Sequence, residues 1–141
     1  MVTIAIYQGE KFKAGELDNG NITLITEDRD YLSKGFIEHA NIGRHGTEYV
    51  YTKEVTKQEV TEFYSEYERY YWSGYELGVR SQTETQYELT GTPDKNYKTA
   101  ERLGMTLIDK YEYGIWVNKS DVIVKKFRKN RLTGEVTLLN P

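Results

Sequence analysis

The sequence predicts an α+β fold in which mostly antiparallel strands flank a central amphipathic helix and a second, short helix. Segments of β-branched and apolar residues bounded by turn residues occupy both ends of the chain. Between them, aromatic residues recur at spacings of three and four, which is typical of a helix. Strands and helices do not alternate regularly, and this disfavours a doubly wound parallel sheet.

The N-terminal part of the chain is predicted to form strands. Three β-branched or aromatic segments are bounded by turn residues: 2–8, Ile22–Thr26 and 47–55. The segment between the last two is rich in turn residues. We interpret it as a long loop with a short strand around Phe36–Glu38.

The central helix is predicted from Thr56 onward. The residues Thr56–Glu59 form a Thr-x-x-Glu capping box, in which the first and last side chains bond each other's backbone amides. The stripe that follows has helical spacing and consists of Val60, Phe63, Tyr64, Tyr67, Tyr70 and Tyr71. Gly74 and Gly78 are predicted to mark the end of the helix.

A second helix and further strands are predicted in the remainder of the chain. After a short strand at Thr85–Leu89, Thr92 is expected to cap a helix that carries Pro93 in its first turn and stops at Gly104. Four C-terminal strands are predicted at 105–111, 114–118, 121–127 and 135–139.

The length of 141 residues predicts a single domain, 1–141. An alternative division places two strand-rich halves, 1–55 and 104–141, around a helical middle, 56–103. It rests on a faint similarity between the sequences "GELDNGNITLITEDRDY" and "AERLGMTLIDKYEY".

Composition excludes several classes of protein. The chain has no cysteine, which rules out disulfides, thiolate metal ligands and a cysteine nucleophile, and is consistent with a reducing compartment. Its N-terminus lacks the basic start and apolar run of a signal peptide. No window approaches the ~18 apolar residues of a membrane helix. We therefore expect a cytoplasmic protein that contacts no membrane and needs no cofactor.

We examined the sequence for catalytic and metal-binding motifs and predict no catalytic residue and no metal ligand. Arg44-His45-Gly46 resembles the phosphohistidine motif of the histidine phosphatases, which also require a second catalytic histidine, further arginines and a large α/β sheet. The other histidine, His39, lies six residues upstream, and two histidines beside Glu38 and Glu48 lack the converging geometry that zinc requires. We interpret the segment as a solvated, glycine-flanked loop and expect a non-enzymatic protein.

The aromatic segment is the first candidate binding site. A helix with so many rings cannot bury all of them, and exposed tyrosine and tryptophan are where binding energy concentrates. We expect a helix packed on one side and exposed along its rim. The predicted partner-binding residues are Glu62, Tyr64, Glu66, Tyr67, Tyr70, Tyr71, Trp72 and Tyr75.

A basic segment near the C-terminus is the second candidate. Residues 1–92 hold 16 acidic and 9 basic residues, a net charge of −7, whereas 93–141 hold 6 acidic and 10 basic residues, a net charge of +4. Bases of this kind neutralise nucleic-acid phosphates. The candidate residues are Lys125, Lys126, Arg128, Lys129 and Arg131. The alternative is a solvated hairpin with Phe127 towards the core.

The style of the sequence resembles the small accessory proteins of bacteriophages and prophages of Gram-positive bacteria. The chain is short, lacks cysteine, is rich in Tyr, Lys, Glu and Asn, and contains "YTKEVTKQEV" and "VNKSDVIVKKF". This resemblance implies an inhibitor that binds and disables a host protein, such as a CRISPR nuclease or another defence component, and it assigns no site residue.

Two alternatives to the inhibitor hypothesis stay open at the sequence level. The first is a protein that sequesters a nucleotide signal, with a ring stacked on the base and Arg44, Arg80 or Arg128 on the phosphate. The second is a nucleic-acid-binding module that uses the basic segment. A homo-oligomer is compatible with each hypothesis.

Overall fold

Strands dominate the computed structural model, which describes residues 1–140: 58% of the chain lies in strands and 15% in helical segments. The described residues form twelve strands: β1 Val2–Tyr7, β2 Glu10–Glu16, β3 Ile22–Thr26, β4 Ile37–Gly43, β5 Gly46–Val55, β6 Val60–Trp72, β7 Tyr75–Gln82, β8 Gln86–Gly91, β9 Thr106–Leu107, β10 Tyr113–Asn118, β11 Ile123–Asn130 and β12 Val136–Leu138. The predicted α+β fold with a central helix is therefore wrong, and the fold is β-rich.

Helical structure is confined to short segments. One α-helix, α1, covers Tyr97–Arg102, and 3-10 turns cover Arg29–Lys34, Lys57–Glu59, Pro93–Lys95 and Lys119–Asp121. Within the described residues, no helix is long and apolar enough to cross a membrane.

The segment predicted to be the central helix is the thirteen-residue strand β6. Eight of its residues are β-branched or aromatic, the residue types that fit a pleated sheet best. Rings occur on both faces of the strand, and this produces a spacing of three and four that imitates a helical stripe. The predicted capping box also fails. Thr56 precedes a single 3-10 turn and makes no side-chain capping bond.

The chain divides into two compact units. Unit 1 comprises Met1–Tyr67 and Arg128–Thr137, and unit 2 comprises Glu68–Phe127 and the residues from Leu138. The polypeptide passes from one unit to the other inside β6 and returns inside β11.

Unit 1 is built from antiparallel strands in the order β4-β5-β3-β2-β1-β6. Its core cluster includes Phe12, Ile22, Leu24 and Phe63, each at most 5% exposed. Ile22 and Leu24 lie on the same face of β3, as the alternation of that strand predicts. β6 contributes Phe63 and Tyr64 to the interior from opposite faces of the strand.

Unit 2 contains the strand order β6-β7-β8-β10-β9, with α1 packed on its core. The core cluster consists of Leu77, Leu89, Ala100, Met105 and Val117. The predicted second helix is present but begins later than predicted: α1 starts at Tyr97, and Pro93 lies in a separate 3-10 turn. Ala100 is buried, and Gly104 is in a left-handed conformation after the helix, as its predicted stop requires. Its cap is Asn96, whose side chain accepts a bond from the Lys98 amide, and Thr92 makes no capping bond.

Candidate protein-interaction surfaces

In unit 1, the predicted partner-binding residues of β6 differ in exposure. Glu62 is exposed, Tyr64 is 8% exposed, and Glu66 and Tyr67 are half-buried. Glu62, Tyr64 and Glu66 project from one face because side chains alternate along a strand. The strand therefore presents two carboxylates on either side of a buried ring.

Arg128 of β11 covers that ring. Its guanidinium carbon lies 4.2 Å from the Tyr64 ring centroid, and its Nε and Nη2 donate to Oε1 of Glu66 at 3.0 and 2.5 Å. These hydrogen bonds to Glu66 raise the pKa of Arg128 above its ordinary value, so its charge is permanent. The Arg128 guanidinium, the Tyr64 ring and the Glu66 carboxylate therefore form one cluster, in which the two opposite charges compensate each other.

Arg131 is similarly engaged in unit 1. Its backbone amide donates to the Phe63 carbonyl at 2.7 Å, and its Nη1 donates to the Ser65 hydroxyl at 3.3 Å. Its Nη2 lies 3.6 Å from a Glu16 carboxylate oxygen. Arg131, the residue after β11, therefore also contacts polar groups of β6 and β2.

In unit 2, the predicted residues Tyr70, Tyr71, Trp72 and Tyr75 are all half-buried. The Tyr70 hydroxyl donates to Oε2 of Glu68 at 2.5 Å, and this bond is the main reason that the pKa of Tyr70 is raised to about 12. Tyr70 therefore stays neutral at physiological pH and acts as a donor towards Glu68.

Two lysines of β11 lie against the same part of β6. The Nζ of Lys125 is 5.1 Å from the Tyr71 ring centroid, and the Nζ of Lys126 is 4.0 Å from a Glu68 carboxylate oxygen. Within each unit, basic residues of the predicted phosphate-binding segment therefore contact aromatic rings and carboxylates of the predicted partner-binding segment. Of the five predicted basic residues, Lys129 is exposed, and it belongs to no cation-π contact or ion pair described above.

An open groove of about 400 Å³ lies in unit 2 next to Tyr70. Its rim carries an ion pair between Nε of Arg69 and Oε1 of Glu76, at 3.4 Å. The other lining residues come from β6, β7, β8 and the residue after β8: Glu68, Tyr70, Leu77, Gly78, Val79, Thr90, Gly91 and Thr92. Gly78 leaves room on the sheet, since an added Cβ would make an ordinary 3.5 Å contact with the Thr90 hydroxyl.

A smaller pocket of about 270 Å³ in unit 1 is lined by rings. Tyr31 and Phe36 lie 5.1 Å apart between ring centroids, and Phe12 lies 5.3 Å from Tyr31. The Tyr31 hydroxyl donates to Oε2 of Glu10 at 2.5 Å, which raises the pKa of Tyr31 to about 12. Phe12 and Phe36 belong to the unit 1 core, and Tyr31 packs against it.

The segment predicted to be a long loop contains an exposed hairpin, which sequence reasoning missed. β4 and β5 pair from Ile37↔Thr52 to Gly43↔Gly46, and all seven residues of β4 are exposed. The glycines on each side of Arg44-His45 were the available signal for a tight turn. The histidines lie apart from any metal cluster: within residues 1–140 no group of three or more ligating side chains converges.

One of three comparisons with known proteins found a match. A search of curated proteins and a search of solved structures returned no significant match. Residues 3–132 match the model of a protein family described as uncharacterised conserved protein UCP033725. This match extends over most of the chain and both compact units. The chain therefore belongs to the UCP033725 family.

Proposed function

We propose that the protein is a non-enzymatic binding protein and that the unit 2 groove takes a segment of a partner protein. The observation that supports this most is the groove itself: about 400 Å³ of open space with charged groups on its rim and a glycine beneath it. Pockets that bind small molecules have volumes of roughly 300–1,000 Å³, so the groove is large enough to take a few side chains of a partner.

The chemistry of the lining suits a polypeptide. Arg69 and Glu76 offer both signs of charge, and their side chains are 51% and 47% exposed. Gly78 allows another main chain to approach the sheet closely. Tyr70 supplies a rigid amphipathic ring of the kind enriched at protein interfaces. A segment with polar and charged side chains is the ligand that these groups match.

A host protein is the partner class that we propose first. The sequence resembles accessory proteins of Gram-positive phages, and those proteins act by occupying a host factor such as a nuclease or another defence component. On this proposal the protein works in the host cytoplasm and blocks its partner without chemistry.

The nucleotide and nucleic-acid alternatives receive less support from the contacts. Arg128 is bonded to Glu66, and Nε of Arg80 lies 3.7 Å from a Glu88 carboxylate oxygen. Each arginine would have to exchange an ion pair that it already makes for the phosphate, at a small cost because the Arg128 and Arg80 side chains are 43% and 58% exposed. Both alternatives stay predictions.

The first step of the test identifies the protein that contacts the groove. A photoreactive residue at position 69, with Lys129 as the matched exposed position, is used to cross-link proteins in a Gram-positive host lysate. The protein captured only from position 69 is then purified, and its affinity is measured with two variants. Gly78→Val fills the groove, and Gly15→Val adds the same side chain to strand β2 in unit 1.

Both glycines accept the change locally, because neither has a positive φ and the nearest atom to an added Cβ is at 3.5 Å in each case. We expect Gly78→Val to weaken binding by at least about tenfold, or ~1.4 kcal/mol. Gly15→Val should bind like the wild type. Equal affinity of Gly78→Val and the wild type would overturn the proposal.

A further inference from the structure

Among residues 1–140, no third strand pairs with the outer part of the β4–β5 hairpin. β3 pairs with β5 only from Tyr51 to Val55, so residues 39–50, which we name the ribbon, contain only β4 and β5 pairing with each other. Isolated two-stranded hairpins are marginally stable in water. The ribbon is nevertheless a regular ladder, with Ala40 opposite Tyr49 and Ile42 opposite Thr47.

One face of the ribbon presents apolar side chains to solvent. Glu38, Ala40 and Ile42 share a face with Tyr49 and Tyr51, since directly paired residues project to the same side of a sheet. Tyr51 is buried in the unit 1 core, but Tyr49 is 49% exposed and Ile42 is 86% exposed. The sheet face that packs into the unit 1 core therefore continues along the ribbon, where it is exposed to solvent.

The free edge of β4 restricts how another strand can add to it. Gly43 and Gly46 close the turn, so Gly43 directs its backbone groups towards β5. The alternation of an antiparallel ladder then directs the N–H and C=O of Glu38, Ala40 and Ile42 outwards. An added strand must place its own outward-directed residues opposite these.

A second copy of the chain meets this condition in one favourable register. In a twofold antiparallel pairing centred on Asn41, Ala40 lies opposite Ile42 of the partner subunit. Glu38 then lies beside the turn that carries Arg44 of the partner subunit, because β4 ends at Gly43. Centring on Ala40 instead would place each Glu38 carboxylate against an isoleucine. Centring on Asn41 gives two apolar cross-strand pairs and places each Glu38 carboxylate beside the turn arginine of the other copy, so opposite charges meet at both ends of the pairing.

We propose that the ribbon edge is a dimer interface, in which β4 pairs with β4 of a second copy around Asn41. This surface lies in unit 1 and is independent of the unit 2 groove, so either proposal can fail without the other. The proposal rests on the uncovered edge and on this charge and apolar complementarity.

The lack of cysteine makes a register-specific test available. Asn41→Cys introduces a single thiol that meets its own copy at the twofold axis. There the two residues form a non-hydrogen-bonded pair with Cα atoms about 4.5 Å apart, which a disulfide can bridge. The matched control is Glu48→Cys, which is also exposed and lies opposite Asn41 in the same ribbon.

Under mild oxidation we expect Asn41→Cys to form a covalent dimer of twice 16.5 kDa and Glu48→Cys to stay largely uncoupled. Sedimentation equilibrium of the wild type should give a dimer. Glu38→Arg and Arg44→Glu should each weaken it by about tenfold, and the double exchange Glu38→Arg with Arg44→Glu should restore it. A wild type that is monomeric at all concentrations, or a dimer cross-linked better through position 48, would overturn the proposal.

Discussion

At the scale of single residues, the Arg128 side chain joins β11 to β6 in unit 1. It stacks on Tyr64 and donates twice to Glu66, but its side chain is 43% exposed, so water screens both interactions. We expect Arg128→Met to lower the free energy of unfolding by about 1 kcal/mol, measured by urea denaturation. Lys129→Met, on the same strand and exposed, should change it by less than ~0.5 kcal/mol.

A second residue-scale prediction concerns the ionisation of Tyr70. Because its folded-state pKa is raised to about 12, its contribution to stability is complete below the ordinary tyrosine value of 10.0 and is lost as pH rises towards 12. The tyrosinate absorbance of the wild type minus that of Tyr70→Phe should therefore titrate near pH 12. Glu68→Gln should move this titration back towards 10, and a difference curve already centred at 10 in the wild type would refute the bond.

At the scale of elements, Asn96 and Thr92 are the two candidate capping residues at the start of α1. Asn96 accepts a bond from the Lys98 amide at 3.0 Å, whereas Thr92 makes no capping bond. Asn96→Ala should lower the free energy of unfolding by about 1 kcal/mol, because the bonded amide loses its acceptor. Thr92→Ala should cost clearly less in the same thermal denaturation experiment, and the reverse ranking would place the cap at Thr92.

Several strands near the termini, such as β1 and β3, were predictable, whereas β2 was missed and β6 was predicted as a helix, the latter for a physical reason. Ile22–Thr26 alternates between a buried and a solvated face, so its period is visible in the sequence. β6 has buried residues on both faces around Phe63, Tyr64 and Ser65, and this removes the alternation. When the period is lost, residue type is the better guide, and aromatic residues favour strands.

At the scale of the whole molecule, each compact unit has its own core. Leu24 in unit 1 and Leu89 in unit 2 are both 0% exposed. Leu24→Ala and Leu89→Ala should each lower the free energy of unfolding by roughly 2–5 kcal/mol, because each leaves a cavity in a packed cluster. Leu132→Ala, at an exposed position, should lie within ~0.5 kcal/mol of the wild type in the same urea titrations.

The candidate sites were predictable only in part, because pairing between distant strands decides their environment. The sequence identifies Tyr64 and Arg128 as binding candidates, but nothing local indicates that Arg128 lies on the Tyr64 ring. The groove depends on Gly78 of β7 lying opposite Thr90 of β8, a register set by the sheet. The ribbon depends on β3 ending where β5 continues.

Nuclear magnetic resonance of residues 60–72 tests the central claim, that the aromatic and acidic segment is a strand, which pairs with β1 in unit 1 and with β7 in unit 2. We predict strand-type Cα and Cβ chemical shifts throughout Val60–Trp72, with cross-strand contacts between Ala5 and Phe63 and between Tyr71 and Glu76. Helical shifts with strong sequential amide contacts over the same residues would contradict it.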